Sequence, residues 1–149
     1  MGIVVPDGIL GNPDNEHIRA WILEHARVLA SVDLPVEAFQ PQVGVQSSLL
    51  FLEKLPDDEV ALGSAPDYDI FMAIAEDVGH DRRGNPTYRR DPDGFDVYED
   101  HVERFDVLRD GIPATEERSF KRAVPADDMP LISGAYLRWT ETGEVSELG

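Results

Sequence analysis

The sequence predicts an α/β protein, and three features carry that prediction. A β-branched apolar run lies at residues 3–5, a helical pattern begins near Asn15, and a second apolar run follows at residues 28–34. A strand, a helix and a strand within about thirty residues form a parallel crossover unit. A third apolar run, at residues 47–54, follows with no helix before it, so it is expected to run antiparallel to its predecessor.

The first strand is expected to end at Pro6, because Pro6, Asp7 and Gly8 form a strong turn signal. No earlier element is present to pair with this strand, so we expect that upstream sequence is missing. The helix is indicated by Ile18, Trp21, Ile22, His25 and Ala26, which recur at three- and four-residue steps. Asp14 or Asn15 is its predicted N-cap.

The run at residues 47–54 is mostly apolar, which predicts a strand inside a sheet and not at its rim. A surface connection is expected over residues 56–67, and a further strand over residues 69–75. Residues 80–94 read as a loop or a hairpin. Helical spacing returns over residues 97–108, which predicts a helix there. The last forty or so residues have little periodicity apart from 131–137, so we expect an extension that packs on a partner or is loosely ordered.

Composition limits the functions that this chain can have alone. Its 149 residues, 42% of them apolar, suit one domain or a piece of one. A formal net charge of −17 opposes binding to nucleic-acid phosphates and predicts a hydrated acidic surface suited to high salt, hence a halophilic source. The sequence has no cysteine, no secretory signal and no apolar run long enough to span a membrane, so we expect a cytoplasmic protein without disulfides or thiolate metal sites.

Four blocks of the sequence resemble a known family. They are residues 3–10 (IVVPDGIL), 28–35 (VLASVDLP), 38–52 (AFQPQVGVQSSLLFL) and 78–88 (VGHDRRGNPTY). Together they are similar to the C-terminal portion of the catalytic domain of type I restriction-modification DNA methylases, the adenine N6-specific M subunits. The resemblance covers about the first ninety residues, and the second and third blocks are its strongest part.

The resemblance implies a Rossmann-like methyltransferase sheet whose last strand runs antiparallel between the two before it. It also implies S-adenosylmethionine as the methyl donor of the complete enzyme. The family's glycine-rich cofactor loop and its N-P-P-aromatic motif lie upstream of the matched blocks and do not occur in this chain. The nearest strings, at residues 11–14 and 84–87, are interpreted as turns. We therefore expect a methylase fragment that is inactive alone.

The resemblance also implies a catalytic segment and a set of partners. Residues 1–79 are expected to form the C-terminal part of the catalytic domain, and the sequence pattern beyond them predicts a basic loop or hairpin at residues 80–94 and a helical and irregular extension at residues 95–149. The partners are an N-terminal methylase portion or split partner, joined by edge pairing with the first strand, and specificity and restriction subunits. DNA is expected as a ligand only within that assembly, and no membrane is expected.

Two groups of residues are candidates for the adenine pocket. Phe39 resembles the family position whose aromatic ring stacks on the flipped target base, although it could equally anchor its loop to the core. Pro6, Asp7 and Gly8 follow a parallel strand at its carboxyl end, where α/β sheets bind ligands, so they are candidates for the pocket rim. The simpler interpretation of these three residues is a turn that ends the strand.

The remaining candidates are charged. Arg82, Arg83, Arg89 and Arg90 form the one basic cluster of the sequence and are candidates for DNA phosphate contacts, the alternative being a solvated, salt-bridged loop. The acidic run at residues 91–100 lacks the glycine position of a calcium-binding loop. Because no histidine pair has metal-ligand spacing and no nucleophile set can be assembled, no metal ligand and no catalytic residue is assigned.

A second function class also fits the charge. An acidic interaction protein could present carboxylates where DNA presents phosphates, and so occupy the DNA channel of a restriction enzyme or another DNA-binding enzyme. Such DNA mimicry predicts inhibition without catalysis. The acidic residues are spread along the whole chain, however, and the strand blocks match methylases, so the methylase interpretation is preferred.

Overall fold

A computed structural model describes residues 1–62 and 67–144. The chain divides into two compact units, one made of residues 1–85 with 127–149 and the other of Pro86–Ala126. The first unit is a mixed α/β structure around a four-stranded sheet, and the second contains a two-stranded antiparallel sheet. The α/β class predicted from the sequence is confirmed.

In its described residues, the first unit contains four strands and four helices, joined in part by two short 3₁₀ helices, Pro13–Asn15 and Val36–Phe39. The strands are β1 (Gly2–Pro6), β2 (Ala26–Leu34), β3 (Ser47–Lys54) and β4 (Phe71–Ile74). The helices are α1 (Asp7–Gly11), α2 (Glu16–His25), α3 (Asp57–Leu62) and α4 (Met129–Thr142). All four predicted strands are therefore present. Within the predicted surface connection at 56–67, α3 is a helix and residues 63–66 lie outside the described residues.

The sheet has the strand order β1-β3-β2-β4. β3 is antiparallel to both β1 and β2, so those two strands run in the same direction on either side of it, and β4 is parallel to β2. This confirms that the run at residues 47–54 reverses direction and lies inside the sheet. The strand-helix-strand unit connects β1 to β2 as predicted, but β3 lies between them in the sheet.

A change of register in β2 determines on which face of the sheet each β2 side chain lies. The pairing with β3 shifts between Val28 and Ala30, so one extra residue places these two buried side chains on opposite faces. Val28 joins Val5, Leu50 and Leu52 in one core cluster, against which residues of α1 and α2 pack. The other cluster packs β2 and β4 against α4 and consists of Ala30, Val32, Leu34, Phe71, Ala75, Ile132 and Ala135.

The second unit corrects the helix predicted over residues 97–108. That segment is β5 (Tyr98–Arg109), and it pairs along its whole length with β6 (Ile112–Ala123) in the part that was expected to be irregular. The two strands join at Asp110 and Gly111, whose φ angles of 54° and 82° suit the tight hairpin turn that an Asp-Gly pair favours. The periodic segment at residues 131–137 is part of helix α4, and residues 145–149 lie outside the described residues.

Candidate functional site

One edge of the four-stranded sheet gathers most of the predicted site residues. The register places Pro6 at the end of β1 and Leu34 at the end of β2 on either side of Ser47, the first residue of β3. The carboxyl ends of the parallel strands β1, β2 and β4 therefore meet at this edge. In open α/β sheets, ligands bind in the crevice outside such an edge.

Asp7 is fixed at this edge by two hydrogen bonds. Its backbone N–H donates to the carbonyl of Gln46 at 3.2 Å, and the Ser48 hydroxyl donates to its Oδ1 at 3.1 Å. Gly8 begins α1 with Asp7, and its carbonyl accepts a hydrogen bond from the Asn15 side-chain amide at 2.8 Å. The turn predicted at these residues is therefore the start of a helix: Pro6 ends β1, and Asp7 and Gly8 begin α1 at the carboxyl edge of the sheet.

Phe39 ends the 3₁₀ helix that follows β2. Its ring is half-buried and packs against the core cluster between the sheet and α4. The carbonyl of Phe39 accepts a hydrogen bond from the N–H of Val43 at 2.8 Å, and the Gln40–Pro41 peptide is cis. The structure therefore places Phe39 at the carboxyl edge of the sheet and gives it an anchoring contact with the core.

The sequence analysis missed a polar group at the same edge. Asp33 Oδ2 accepts a hydrogen bond from the Gln46 side-chain amide at 3.5 Å, the long limit of such a bond. Asp33 Oδ1 and Gln40 Oε1 are buried without a hydrogen-bond partner among the described residues. A buried acceptor without a partner is costly, so both oxygens are suited to receive a donor. A carboxylate inside the apolar run at 28–34 is the signal that could have identified Asp33.

The structure also brings part of the basic cluster to the Phe39 loop. Arg82 Nε forms a salt bridge with Glu37 Oε1 at 3.2 Å, two residues before Phe39. A Cβ at Gly84 would lie 3.5 Å from Pro41 Cδ, so the turn around Gly84 lies against the same loop. Arg83 follows Arg82 in this turn. The linear spacing of these segments gave no indication of this juxtaposition.

Asp81 organises that turn. Its carboxylate accepts hydrogen bonds from the Asn85 side-chain amide and from the backbone N–H groups of Arg83 and Asn85, at 2.8 to 2.9 Å. The Asn85 side chain, with these backbone donors and the nearby Arg83 charge, holds the pKa of Asp81 below its usual 3.8. The string at residues 84–87 therefore lies partly in a closed turn. At the other string, Asn12 Oδ1 accepts from the N–H of Asp14 at 2.9 Å and caps the helix Pro13–Asn15.

The other two predicted DNA-binding arginines belong to the second unit. Arg90 forms a long salt bridge with Asp96 at 3.7 Å, and the backbone N–H of Arg89 donates to the carbonyl of Val124. In the same unit, the Asp91 carboxylate accepts hydrogen bonds from the N–H groups of Asp93 and Phe95. The contact of Arg90 with Asp96 fits the salt-bridged loop that the sequence left open as an alternative, and the Arg90 side chain is 71% exposed beside it.

Residues 1–62 and 67–144 contain no group of three or more acidic, histidine or cysteine side chains placed to hold a metal ion. No helix within these ranges has the length and apolar character needed to span a membrane. No family model matches the chain, and no curated protein is significantly similar to it.

Proposed function

We propose that this chain is the C-terminal part of the catalytic domain of an adenine-specific DNA methyltransferase of the type I restriction-modification class. The observation that carries the proposal is the position of β3, which runs antiparallel between β1 and β2. A Rossmann-like methyltransferase sheet, as implied by the resemblance, ends in this arrangement. The segments that resemble the family, including the turn at Pro6–Gly8 and the loop of Phe39, lie at the ligand-binding edge of that sheet.

In this proposal, Phe39 stacks on the extruded adenine, and Pro6, Asp7 and Gly8 form part of the pocket rim. Aromatic side chains hold flipped bases because every base presents a π-face to them. Arg82 and Arg83, beside the Phe39 loop, contact DNA phosphates, as do Arg89 and Arg90 in the second unit. The fragment alone does not catalyse methyl transfer, and its DNA contacts form only within the assembly.

The residues present do not fit the methyl donor. Binding S-adenosylmethionine in this family requires the glycine-rich loop, and gripping adenine requires the N-P-P-aromatic motif. The two nearest strings in this chain form turns stabilised by their own Asn12 and Asp81 side chains. The donor must therefore be held by an N-terminal methylase portion, either from the same polypeptide or from a split partner.

Strand β1 is the proposed joint between the two portions. The carbonyl of Met1 accepts from the N–H of Leu52 at 2.7 Å, so alternate backbone groups along β1 point toward β3. The N–H and C=O groups of Gly2 and Val4 consequently point away from β3, at the open edge of the sheet. Ile3 and Val4 are 42% and 46% exposed there. A strand from the N-terminal portion can pair with this edge.

The proposal is tested by reconstitution. This chain is mixed with the N-terminal portion of a type I M subunit, ending before the strand that corresponds to β1, and with the matching specificity subunit. We expect transfer of labelled methyl groups from S-adenosylmethionine to unmethylated DNA by the mixture and by neither portion alone. Transfer that stays at background after the two portions co-sediment would overturn the proposal. Failure to co-sediment would overturn β1 as the joint.

Substitution of Phe39 tests its role. Losing a base stack of about 1–3 kcal/mol predicts that Phe39→Ala lowers transfer about 5- to 150-fold, whereas Phe39→Trp restores it. The exposed Phe95 of the second unit provides the matched control, and Phe95→Ala is expected to leave transfer unchanged. A 2-aminopurine at the target position is expected to fluoresce more brightly in the Phe39→Ala complex, which a purely anchoring role would not cause. Full activity of Phe39→Ala would contradict the stacking role.

A further inference from the structure

The second unit lacks a hydrophobic core of its own. All residues of Pro86–Ala126 are described, and every one of them is exposed or half-buried. Nine of its large apolar side chains are exposed. A two-stranded ribbon without a covered apolar face is marginally stable in water. The ribbon formed by β5 and β6 therefore needs a surface to pack against.

One face of the ribbon carries a line of aromatic rings. In an antiparallel pair, directly opposite residues share a face, so His101 with Phe120 and Phe105 with Glu116 lie on the same side. The rings of His101 and Phe120 are 5.3 Å apart at their centroids, and the Arg118 guanidinium lies 5.3 Å from the centre of Phe105. We call this side the aromatic face. Val102 lies on the opposite side.

The aromatic face is complementary to itself. Glu99 is opposite Arg122, and Glu103 is opposite Arg118, so two of the cross-strand residue pairs on this face combine opposite charges. Consider two ribbons that face each other and are related by a two-fold axis parallel to the strands. Each pair of directly opposite residues in one ribbon then lies over the same pair in the other ribbon, with β5 of one copy over β6 of the other. Glu103 of one copy then faces Arg118 of the other, and the ring of His101 faces that of Phe120. The cross-strand pairing thus makes an isologous contact possible.

The charge of the β5–β6 ribbon favours a second copy of this chain over a nucleic acid as the binding partner. Strands β5 and β6 contain six acidic and five basic side chains, and Arg89 and Arg90 lie outside them, whereas the whole chain has thirty acidic and thirteen basic ones. The ribbon is therefore nearly balanced in charge, and contact through it brings together the least acidic parts of two strongly acidic chains. A net negative ribbon has no electrostatic attraction for phosphates.

We propose that the aromatic face of the β5–β6 ribbon is a dimerisation surface, occupied by the same face of a second copy of this chain. Twelve-residue strands give a face about 40 Å long and about 10 Å wide. Such a face is smaller than the roughly 800 Å² per partner of tight complexes. The dimer is accordingly weak and depends on protein concentration.

Sedimentation velocity of the whole chain over micromolar to submillimolar concentrations tests this proposal. We expect a monomer–dimer equilibrium whose dissociation constant rises at least tenfold in Phe105→Glu, which places a carboxylate opposite Glu116 of the second copy. Val102→Glu makes the same change at a position that is 58% exposed on the other face, and it is expected to leave the constant within about twofold. Cross-strand NMR contacts between β5 and β6 confirm that both variants keep the ribbon.

A wild-type chain that remains monomeric over this range would overturn the proposal, as would equal weakening by the two substitutions. Val4→Lys, at the open edge of β1, separates this surface from the joint with an N-terminal methylase portion. It is expected to prevent co-sedimentation with that portion and to leave the dimer intact. If Val4→Lys abolishes the dimer while Phe105→Glu does not, self-association uses β1 and the ribbon proposal is wrong.

Discussion

The Ser48 hydroxyl donates a hydrogen bond to Asp7 Oδ1 at 3.1 Å and so connects β3 to the residue that follows β1. The two residues are 41 positions apart in the chain. Ser48 is buried inside the sheet, whereas Asp7 lies at its carboxyl edge. The bond therefore holds the proposed pocket rim to the strand whose reversed direction carries the proposed function.

Removing this hydrogen bond is expected to destabilise the first unit. Ser48→Ala deletes a buried donor to a carboxylate, which predicts a loss of about 1–2 kcal/mol in the free energy of unfolding. Urea unfolding of the wild-type chain and of Ser48→Ala measures this loss in the free energy of unfolding. Ser47→Ala is the control, because the Ser47 hydroxyl bonds only the nearby carbonyl of Val45, at 3.3 Å. Equal losses of unfolding free energy in the two variants would show that the hydrogen bond to Asp7 stabilises the unit no more than the hydrogen bond of Ser47 does.

Phe71 is the expected centre of the packing between β4 and α4. Its ring is buried and lies 5.4 Å from Tyr136 and 5.7 Å from Trp139, measured between centroids. Truncation of a buried Phe leaves a cavity, so Phe71→Ala is expected to cost about 3–5 kcal/mol. The neighbouring Met72 is 75% exposed, and Met72→Ala is expected to change stability by less than about 0.5 kcal/mol. Chemical unfolding followed by tryptophan fluorescence checks both; a mild effect of Phe71→Ala would contradict this packing.

The turn at Asp81 is expected to depend on pH. Because the Asn85 side chain and the backbone donors lower the pKa of Asp81 below 3.8, the ionised carboxylate favours the ordered turn. That contribution is complete above the ordinary pKa of an aspartate, and it is lost as the pH falls through the lower folded value. NMR titration of the Asp81 side chain is expected to give a midpoint below 3.8. Asn85→Ala is expected to move the midpoint upward, and an unchanged midpoint would contradict the assigned cause.

The ribbon turn depends on Gly111, whose φ of 82° disfavours any side chain. Gly111→Ala is expected to destabilise the ribbon by roughly 1–2 kcal/mol. Hydrogen exchange of the β5 and β6 amides measures this loss. At Gly8, by contrast, an added Cβ meets nothing within 4 Å, and the glycine opens a helix. Gly8→Ala is therefore expected to be neutral or mildly stabilising, and an equal loss at both positions would contradict the assigned turn.

The charge of −17 predicts stabilisation by salt. Repulsion among carboxylates opposes the compact state, and raising the ionic strength from about 0.1 M to about 1 M shortens the screening length from about 10 Å to about 3 Å. The Tm is expected to rise over that range of KCl. The rise is expected to shrink near the isoelectric point of about 4.3, where the net charge vanishes. A Tm that is flat or falling at neutral pH would contradict the proposed halophilic adaptation.

The sequence predicts best those elements whose packing imposes a pattern on it. The inner strands β2 and β3 are apolar because helices pack on both faces of the sheet there, and β3 reverses because no helix precedes it. The ribbon was missed because no core selects one of its faces, so Val102, Phe105 and Leu108 also fit a helical stripe. The feature of the sequence that does indicate the ribbon is the Asp-Gly pair at 110–111, which favours a tight hairpin turn. The salt bridge of Arg82 with Glu37 and the isolated Asp33 oxygen depend on loop positions that local patterns do not determine.

The proposed function requires that this chain completes a methylase whose cofactor loop and adenine-binding motif are encoded elsewhere. Sequencing the DNA that flanks the Met1 codon tests this requirement. We expect the continuing upstream frame, or a neighbouring gene, to encode both a glycine-rich cofactor loop and an N-P-P-aromatic motif. Flanking DNA that encodes neither motif in either place would overturn the proposed function.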